Sequence, residues 1–85
     1  MNYQNYRDFV LGEKFKFSHH EENLNYDMFT KGRDWKLIIF YGDDAEHFYD
    51  VPRFWLIKNT IAKFEGFIDK EEDFKLICKL VNVQN

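Results

Sequence analysis

The sequence is poor in the residues that cross-link a chain or interrupt its regular structure. Its 85 residues include one cysteine, one proline and four glycines. The lone cysteine, Cys78, excludes an intrachain disulfide and favours a reducing compartment. So few glycines and prolines exclude collagen-like and low-complexity classes. The composition therefore predicts one globular domain, spanning residues 1–85, that depends on its own hydrophobic core.

Long apolar runs are also missing. The longest, Leu37–Tyr41, has five residues, whereas a membrane-spanning helix needs about 20. Met1–Phe9 is polar and aromatic and has no apolar core of the kind that a signal peptide requires. We therefore expect a cytoplasmic protein that makes no membrane contact.

The net charge of −3 is unevenly distributed. Residues 1–42 carry six basic and six acidic side chains, and residues 43–85 carry six basic and nine acidic ones. An acidic chain gains little from counterion release, which disfavours general nucleic-acid binding. The acidic second half instead favours a protein partner with a basic surface.

Aromatic residues are abundant: ten Phe, five Tyr and two Trp. A domain of this size buries only about 60–65% of the surface of its unfolded chain. Some of the rings must therefore lie at the surface, where large aromatic side chains are typical of a binding face.

The first part of the chain predicts a helix followed by strands. Tyr3, Tyr6, Phe9 and Val10 recur at helical spacing, so we expect a helix over Asn2–Leu11, ended by Gly12. Alternating apolar and polar residues predict strands over Lys14–His20 and Tyr26–Thr30, followed by a turn at Lys31–Asp34.

Trp35–Tyr41 is the clearest strand pattern. Trp35, Leu37, Ile39 and Tyr41 share one face, and Ile38 and Phe40 share the other, which is typical of a central strand. Gly42–Asp44 predicts a hairpin turn, and Glu46–Tyr49 a returning edge strand.

The remainder predicts two helices. Asp50 or Val51 can cap the first, with Pro52 in its first turn and Gly66 at its end; its apolar stripe is Phe54, Ile57, Ile61 and Phe64. Asp69 can cap the second, with Glu72 in a capping-box position; its stripe is Phe74, Ile77, Cys78 and Val81. A strand over Phe74–Val83 is the alternative, because apolar residues also alternate there, but the acidic first turn favours a helix. The expected fold is α+β, in the order α-β-β-β(-β)-α-α, with an antiparallel meander packed by two C-terminal helices.

Catalytic and metal-binding motifs are missing from the sequence. His19 and His20 are adjacent and would point to opposite faces of a strand. No zinc-type spacing joins them to His47. Cys78 lies in an apolar stripe, where cysteine behaves as a small hydrophobic residue. We therefore predict no enzyme activity, no catalytic residue, no metal site and no cofactor.

Two acidic clusters are the main candidate sites. The first, on the predicted turn, consists of Asp43, Asp44 and Glu46. The second lies between the predicted C-terminal helices, next to the apolar residue Phe67, and consists of Asp69, Glu71, Glu72 and Asp73. Solvated turn residues and helix capping explain both clusters without a function, but both also suit contact with Lys or Arg of a partner. The candidate partner-binding residues are Asp43, Asp44, Glu46, Phe67, Asp69, Glu71, Glu72 and Asp73.

The order of elements, with acid at Gly42–Glu46 and again at Asp69–Asp73 before Phe74, resembles a small phage-encoded anti-CRISPR protein with an α-β-β-β-α-α fold. Inhibitors of that kind occupy the site where Cas9 reads the PAM and mimic DNA by their acidic surface. The resemblance implies that Asp43, Asp44 and Glu46 face basic residues of a Cas effector from the turn. It also implies that Glu71, Glu72 and Asp73 do so from the last helix. It predicts an inhibitor that binds and blocks a host defence protein.

Two other functions fit the same sequence. One is an intracellular interaction module, such as an antitoxin or a regulatory subunit. The other is a binder of single-stranded nucleic acid, whose aromatic strands are accompanied by basic residues: Lys14, Lys16, Lys31, Arg33 and Lys36. An edge strand or a ring-rich helix face is also compatible with a homodimer.

Overall fold

A computed structural model of the chain describes residues 7–8, 10–11, 14–44, 47–59, 62–69 and 71–83. Five strands form one antiparallel sheet in which each strand pairs with its neighbours in the sequence, and one helix follows the sheet. The elements are β1 (Lys16–Glu21), β2 (Tyr26–Lys31), β3 (Trp35–Asp44), β4 (His47–Lys58), β5 (Ala62–Phe67) and α1 (Glu71–Val83).

The three strands predicted in the first half are confirmed. β3 is the middle strand of the five, as its two apolar faces suggested. Trp35, Leu37, Ile39 and Tyr41 are buried in the core, while Ile38 and Phe40 lie on the opposite face. Lys36 shares that opposite face and is exposed. The alternation in the sequence is therefore reproduced residue by residue along this strand.

The predicted helix after Asp50 is wrong. The chain instead forms β4 and β5, which pair from Arg53 opposite Phe67 to Lys58 opposite Ala62. The predicted helical stripe mixes the two faces of the strands: Phe54 and Phe64 pack on the core with Leu56, whereas Ile57 lies on the opposite face. Pairing with β3 favours the strand period over the helical period, because it supplies hydrogen-bond partners for the backbone N–H and C=O groups of β4 along most of its length. The fourth stripe residue, Ile61, lies outside the described residues.

Two smaller predictions around the β3–β4 connection are also corrected. Gly42–Asp44 is the end of β3 and not a turn, and β4 lies between β3 and β5 and is not an edge strand. The register between the two strands shifts twice, between Phe40 and Gly42 and between Gly42 and Asp44. Pro52 lies opposite this irregular stretch, where proline's missing N–H is tolerated in a sheet. Its carbonyl accepts a hydrogen bond from the Ile68 N–H at 2.7 Å.

The final helix is confirmed over Glu71–Val83, and its predicted apolar stripe is buried. The predicted capping box is corrected in one residue. The backbone N–H of Asp69 donates a hydrogen bond to the carboxylate of Asp73 at 2.7 Å, and not to that of Glu72. Of the helices in the described part of the chain, none is long and apolar enough to cross a membrane.

The described helical segments bury their apolar side chains against one face of the sheet. Phe74, Ile77 and Val81 of α1 join Phe29, Leu37, Ile39 and Leu56 of the strands in a single core. Residues 7–8 and 10–11 are helical, and Val10 joins the same core. The rest of the predicted N-terminal helix, residues 2–6 and 9, and its predicted end at Gly12 lie outside the described residues. The fold is therefore α+β, with helical segments on one face only among the residues described.

Candidate functional site

The face of the sheet turned away from the core, here named the outer face, retains large apolar side chains. Tyr26 and Met28 of β2, Phe40 of β3, and Trp55 and Ile57 of β4 are all partly exposed on it. Tyr, Trp, Phe and Met are the residues that binding surfaces favour. These side chains are contiguous across three strands, and a contiguous apolar patch is typical of a binding site, so the outer face is a candidate binding surface.

Four rings cross the outer face in a continuous row, here named the ring row: His19, Tyr26, Phe40 and Trp55. The centroid distances along the row are 6.1 Å, 5.3 Å and 4.8 Å, and successive planes are inclined by 66°, 62° and 68°. These are favourable edge-to-face contacts. Each ring comes from a different strand, so the register of the sheet holds the row in place.

A pocket of about 250 Å³ opens at one end of the ring row. Its apolar wall consists of Leu24, Phe40 and Trp55, and its polar side chains belong to Asp43 and Arg53; Gly42 completes the lining. Since a water molecule occupies about 30 Å³ in the liquid, the volume suits one side chain or one planar ring and not an extended ligand.

Charge is segregated along the strand direction. The antiparallel connections alternate between the two ends of the sheet, and basic residues predominate at one end and acidic residues at the other. Asp34 at the basic end and Arg53 near the acidic end are exceptions. The basic end is formed by the start of β1 and by the β2–β3 and β4–β5 connections; its residues are Lys14, Lys16, Lys31, Arg33, Lys36 and Lys58. The acidic end is formed by the β1–β2 turn, the end of β3 and the start of α1; its residues are Glu21, Glu22, Asp43, Asp69, Glu72 and Asp73.

The segregation brings the two predicted acidic clusters to the same end of the molecule. Asp43, Asp69 and Glu72 are exposed there, and Phe67 is 63% exposed. Phe67 lies directly across from Arg53, which in turn lies across from Phe40. The sequence could not show this proximity, because it depends on β5, which the sequence did not predict.

The remaining candidates have different positions. Asp73 is partly exposed and is engaged in the hydrogen bond to Asp69 at the start of α1. Asp44 ends β3 and Glu71 begins α1, so their backbones belong to the acidic end. Glu46 lies outside the described residues.

A buried polar cluster centred on Asp27 was missed by sequence reasoning. Asp27 is fully buried. Its Oδ2 accepts hydrogen bonds from Arg7 Nε at 3.1 Å and from the Tyr41 hydroxyl at 2.9 Å. Its Oδ1 accepts a bond from Arg7 Nη2 at 3.0 Å and lies 2.8 Å from His20 Nδ1. The guanidinium of Arg7 also lies 4.5 Å from the ring centroid of Phe17. The cluster fastens the N-terminal helical residues to the core side of β1, β2 and β3.

The other residues considered for chemistry are placed as follows. Cys78 is 8% exposed and belongs to the core, as predicted. Among the residues that the structure describes, no group of three or more His, Cys, Asp or Glu side chains is positioned to hold a metal ion.

Comparison of the chain with protein-family models, with curated proteins and with solved structures gives no match.

Proposed function

We propose that the chain is a protein-binding module, without catalytic activity of its own, whose acidic end contacts a basic surface of its partner. The observation that carries the proposal is that Asp43, Asp69, Glu72 and the exposed ring of Phe67 all lie at one end of the sheet. An apolar anchor within a charged rim is the common arrangement of a protein interface, because the anchor supplies affinity and the charges supply orientation.

The partner that fits this surface has Lys or Arg residues around an apolar depression that accepts Phe67. We propose, from the resemblance described above, that it is a host defence protein such as a CRISPR nuclease, which the chain blocks. The observed order of elements, five strands and a single described C-terminal helix, differs from α-β-β-β-α-α. Support for the proposal therefore comes from the acidic surface itself and not from the topology.

A charge-reversal experiment tests the surface. Asp43→Lys, Asp69→Lys and Glu72→Lys, singly and together, are compared with Asp34→Lys, an exposed acidic residue at the basic end. Binding to a panel of purified defence nucleases, including Cas9, is measured by surface plasmon resonance and by inhibition of DNA cleavage. We expect the single reversals at the acidic end to weaken binding, the triple variant to abolish it, and Asp34→Lys to leave it unchanged.

Folding should survive these changes, because exposed charges contribute only about 0–1 kcal/mol to stability. Phe67→Ala, at an exposed position, should weaken binding by about tenfold or more without altering the thermal midpoint. Failure of the wild-type chain to bind any nuclease at micromolar concentration would contradict the proposed partner. Binding that persists in the triple variant would contradict the proposed surface.

A further inference from the structure

The outer face carries the ring row and two exposed lysines beside it, which the proposed protein contact at the acidic end does not involve. The ring row lies between a basic region and a region of mixed charge. On the basic side are Lys16 and Lys36, which are exposed and lie on either side of Thr30 in the register of the sheet. On the other side are Glu21, which lies across from Tyr26, and the pocket, where Asp43 is accompanied by Arg53. The face is therefore apolar along its centre and purely basic on one side only.

The dimensions of this arrangement follow from sheet geometry. Lys36 precedes Ile38, the residue opposite Trp55, by two positions along β3, or about 6.8 Å. Lys16 and Lys36 are two strands apart, which places their Cα atoms about 10 Å from one another. Lys36 is therefore one residue pair from the level of Trp55 and two residue pairs from Phe40. A row of rings with cations along one side suits a polymer that has planar groups on one side and anionic groups on the other.

From these observations we infer that the outer face binds single-stranded nucleic acid, with bases stacked on the ring row and phosphates next to Lys16 and Lys36. Lys16 and Lys36 set the orientation, because they attract the phosphates to one side of the ring row and leave a base to enter the pocket on the other. Stacking on protein rings accepts any base, so the predicted binding has little sequence preference.

A single strand fits this surface better than a duplex does. Bases inside a duplex are stacked on one another and cannot reach a ring on a sheet, whereas a single strand exposes them. The net charge of −3 is compatible with binding, because most of the exposed acidic side chains described lie at the opposite end of the sheet, and Glu65, directly across from Trp55, lies on the side of that ring away from Lys36. Lys31 and Lys58 reinforce the basic end, although both also cover core rings, at 5.6 Å from Phe15 and 5.3 Å from Trp35.

The first test measures binding directly. Fluorescein-labelled dT and rU oligonucleotides of twelve nucleotides are titrated with the full chain and followed by fluorescence anisotropy, with a twelve-base-pair duplex as the comparison. We expect both single strands to bind in about 50 mM salt, the duplex to bind more weakly, and the affinity to fall as salt is raised to about 200 mM. If neither oligonucleotide binds at the lower salt concentration, or if the duplex binds as tightly as the single strands, the inference is wrong.

The second test locates the site. Trp55→Ala should weaken binding by about tenfold, the effect of losing one stacked base. Lys36→Glu should also weaken it, while Lys79→Glu, an exposed lysine on α1, should not. Quenching of tryptophan fluorescence by unlabelled oligonucleotide should disappear in Trp55→Phe, because the other tryptophan, Trp35, is buried in the core. Affinity unchanged in both Trp55→Ala and Lys36→Glu would overturn the placement on the outer face.

Asp43→Lys separates this inference from the proposed function. It should weaken binding of a protein partner at the acidic end and should leave oligonucleotide affinity unchanged or increase it. Loss of oligonucleotide binding in this folded variant would contradict the orientation inferred here. The inference is independent of whether a defence protein is the partner, since the two assays use different ligands.

Discussion

Asp27 connects three strands and the N-terminal helical residues through one carboxylate. It is fully buried and ion-paired with Arg7, whose side chain is 22% exposed. A buried charge is tolerated only when its hydrogen bonds are satisfied, and here both oxygens have partners on other segments. The cluster therefore makes the position of the N-terminal residues depend on a single side chain.

Asp27→Asn should destabilise the protein by about 2 kcal/mol, because it removes the charge that Arg7 faces and replaces one acceptor with a donor. Tyr41→Phe, which removes a single hydrogen bond from the same carboxylate, should cost about 1 kcal/mol. Urea unfolding followed by circular dichroism measures both changes from the midpoint and slope. An Asp27→Asn variant as stable as the wild type would show that the cluster contributes no net stability.

Sequence reasoning could have found Asp27 but not its partners. The alternation of Tyr26–Thr30 places Asp27 on the same face as Phe29, so a carboxylate at a core-facing position was visible in the sequence. Arg7 and Tyr41 are 20 and 14 residues away, and their convergence depends on the sheet register and on the packing of the N-terminal residues. A local pattern indicates that a buried charge needs a partner; only tertiary structure supplies one.

At the scale of elements, β1, β2 and β3 were predictable because each has one dominant periodicity and a boundary signal. The apolar residues of α1 fit both a helical and a strand period, and its acidic first turn decided for the helix. β4 and β5 were not, because residues 50–66 satisfy both a helical and a strand period and contain Pro52, which suits a helix start as well as an irregular sheet position. The choice between them is made by pairing with β3 and by the packing of Phe54 and Phe64 on the core. Gly66, which suggested the end of a helix, lies within β5, where it accommodates a neighbouring ring.

Gly66 lies directly opposite Phe54, and its lack of a side chain makes room for that ring. A Cβ added at Gly66 would lie 3.1 Å from Cε1 of Phe54, closer than ordinary contact. Gly66→Val should therefore destabilise the protein by about 1–3 kcal/mol through overpacking, and Gly66→Ala by less.

A double-mutant cycle with Phe54→Leu identifies the cause of this effect. If the ring is responsible, the double variant Phe54→Leu/Gly66→Val should be more stable than the sum of the single changes predicts, as measured by urea unfolding. Strict additivity would mean that the cost at Gly66 arises from the backbone and not from the ring of Phe54.

The charge distribution is a property of the whole molecule. The sequence showed an acidic second half. The end of the sheet at which each charged residue lies depends on the number and lengths of the strands, and the sequence did not predict these correctly. With β4 and β5 taken as a helix, the Asp43 and Asp69 clusters had no defined relation to each other. Five strands put both at one end and leave Lys16 and Lys36 at the other, so the two binding surfaces proposed above follow from the corrected topology.

The core, by contrast, depends on α1 as a unit. Of the side chains of α1 that the structure describes, Phe74, Ile77, Cys78 and Val81 are buried. Fully burying the Phe, Ile and Val side chains contributes about 1.5–3 kcal/mol each, so the three together contribute about 4.5–9 kcal/mol, which is comparable to the whole stability of a small domain, about 5–15 kcal/mol. A chain truncated after Asp69 should therefore lose cooperative thermal unfolding, whereas truncation after Val83 should preserve it. Circular dichroism and differential scanning calorimetry distinguish the two. A sharp transition in the shorter chain would mean that the sheet is stable without its helical cover, and that both of its faces are free to bind other molecules.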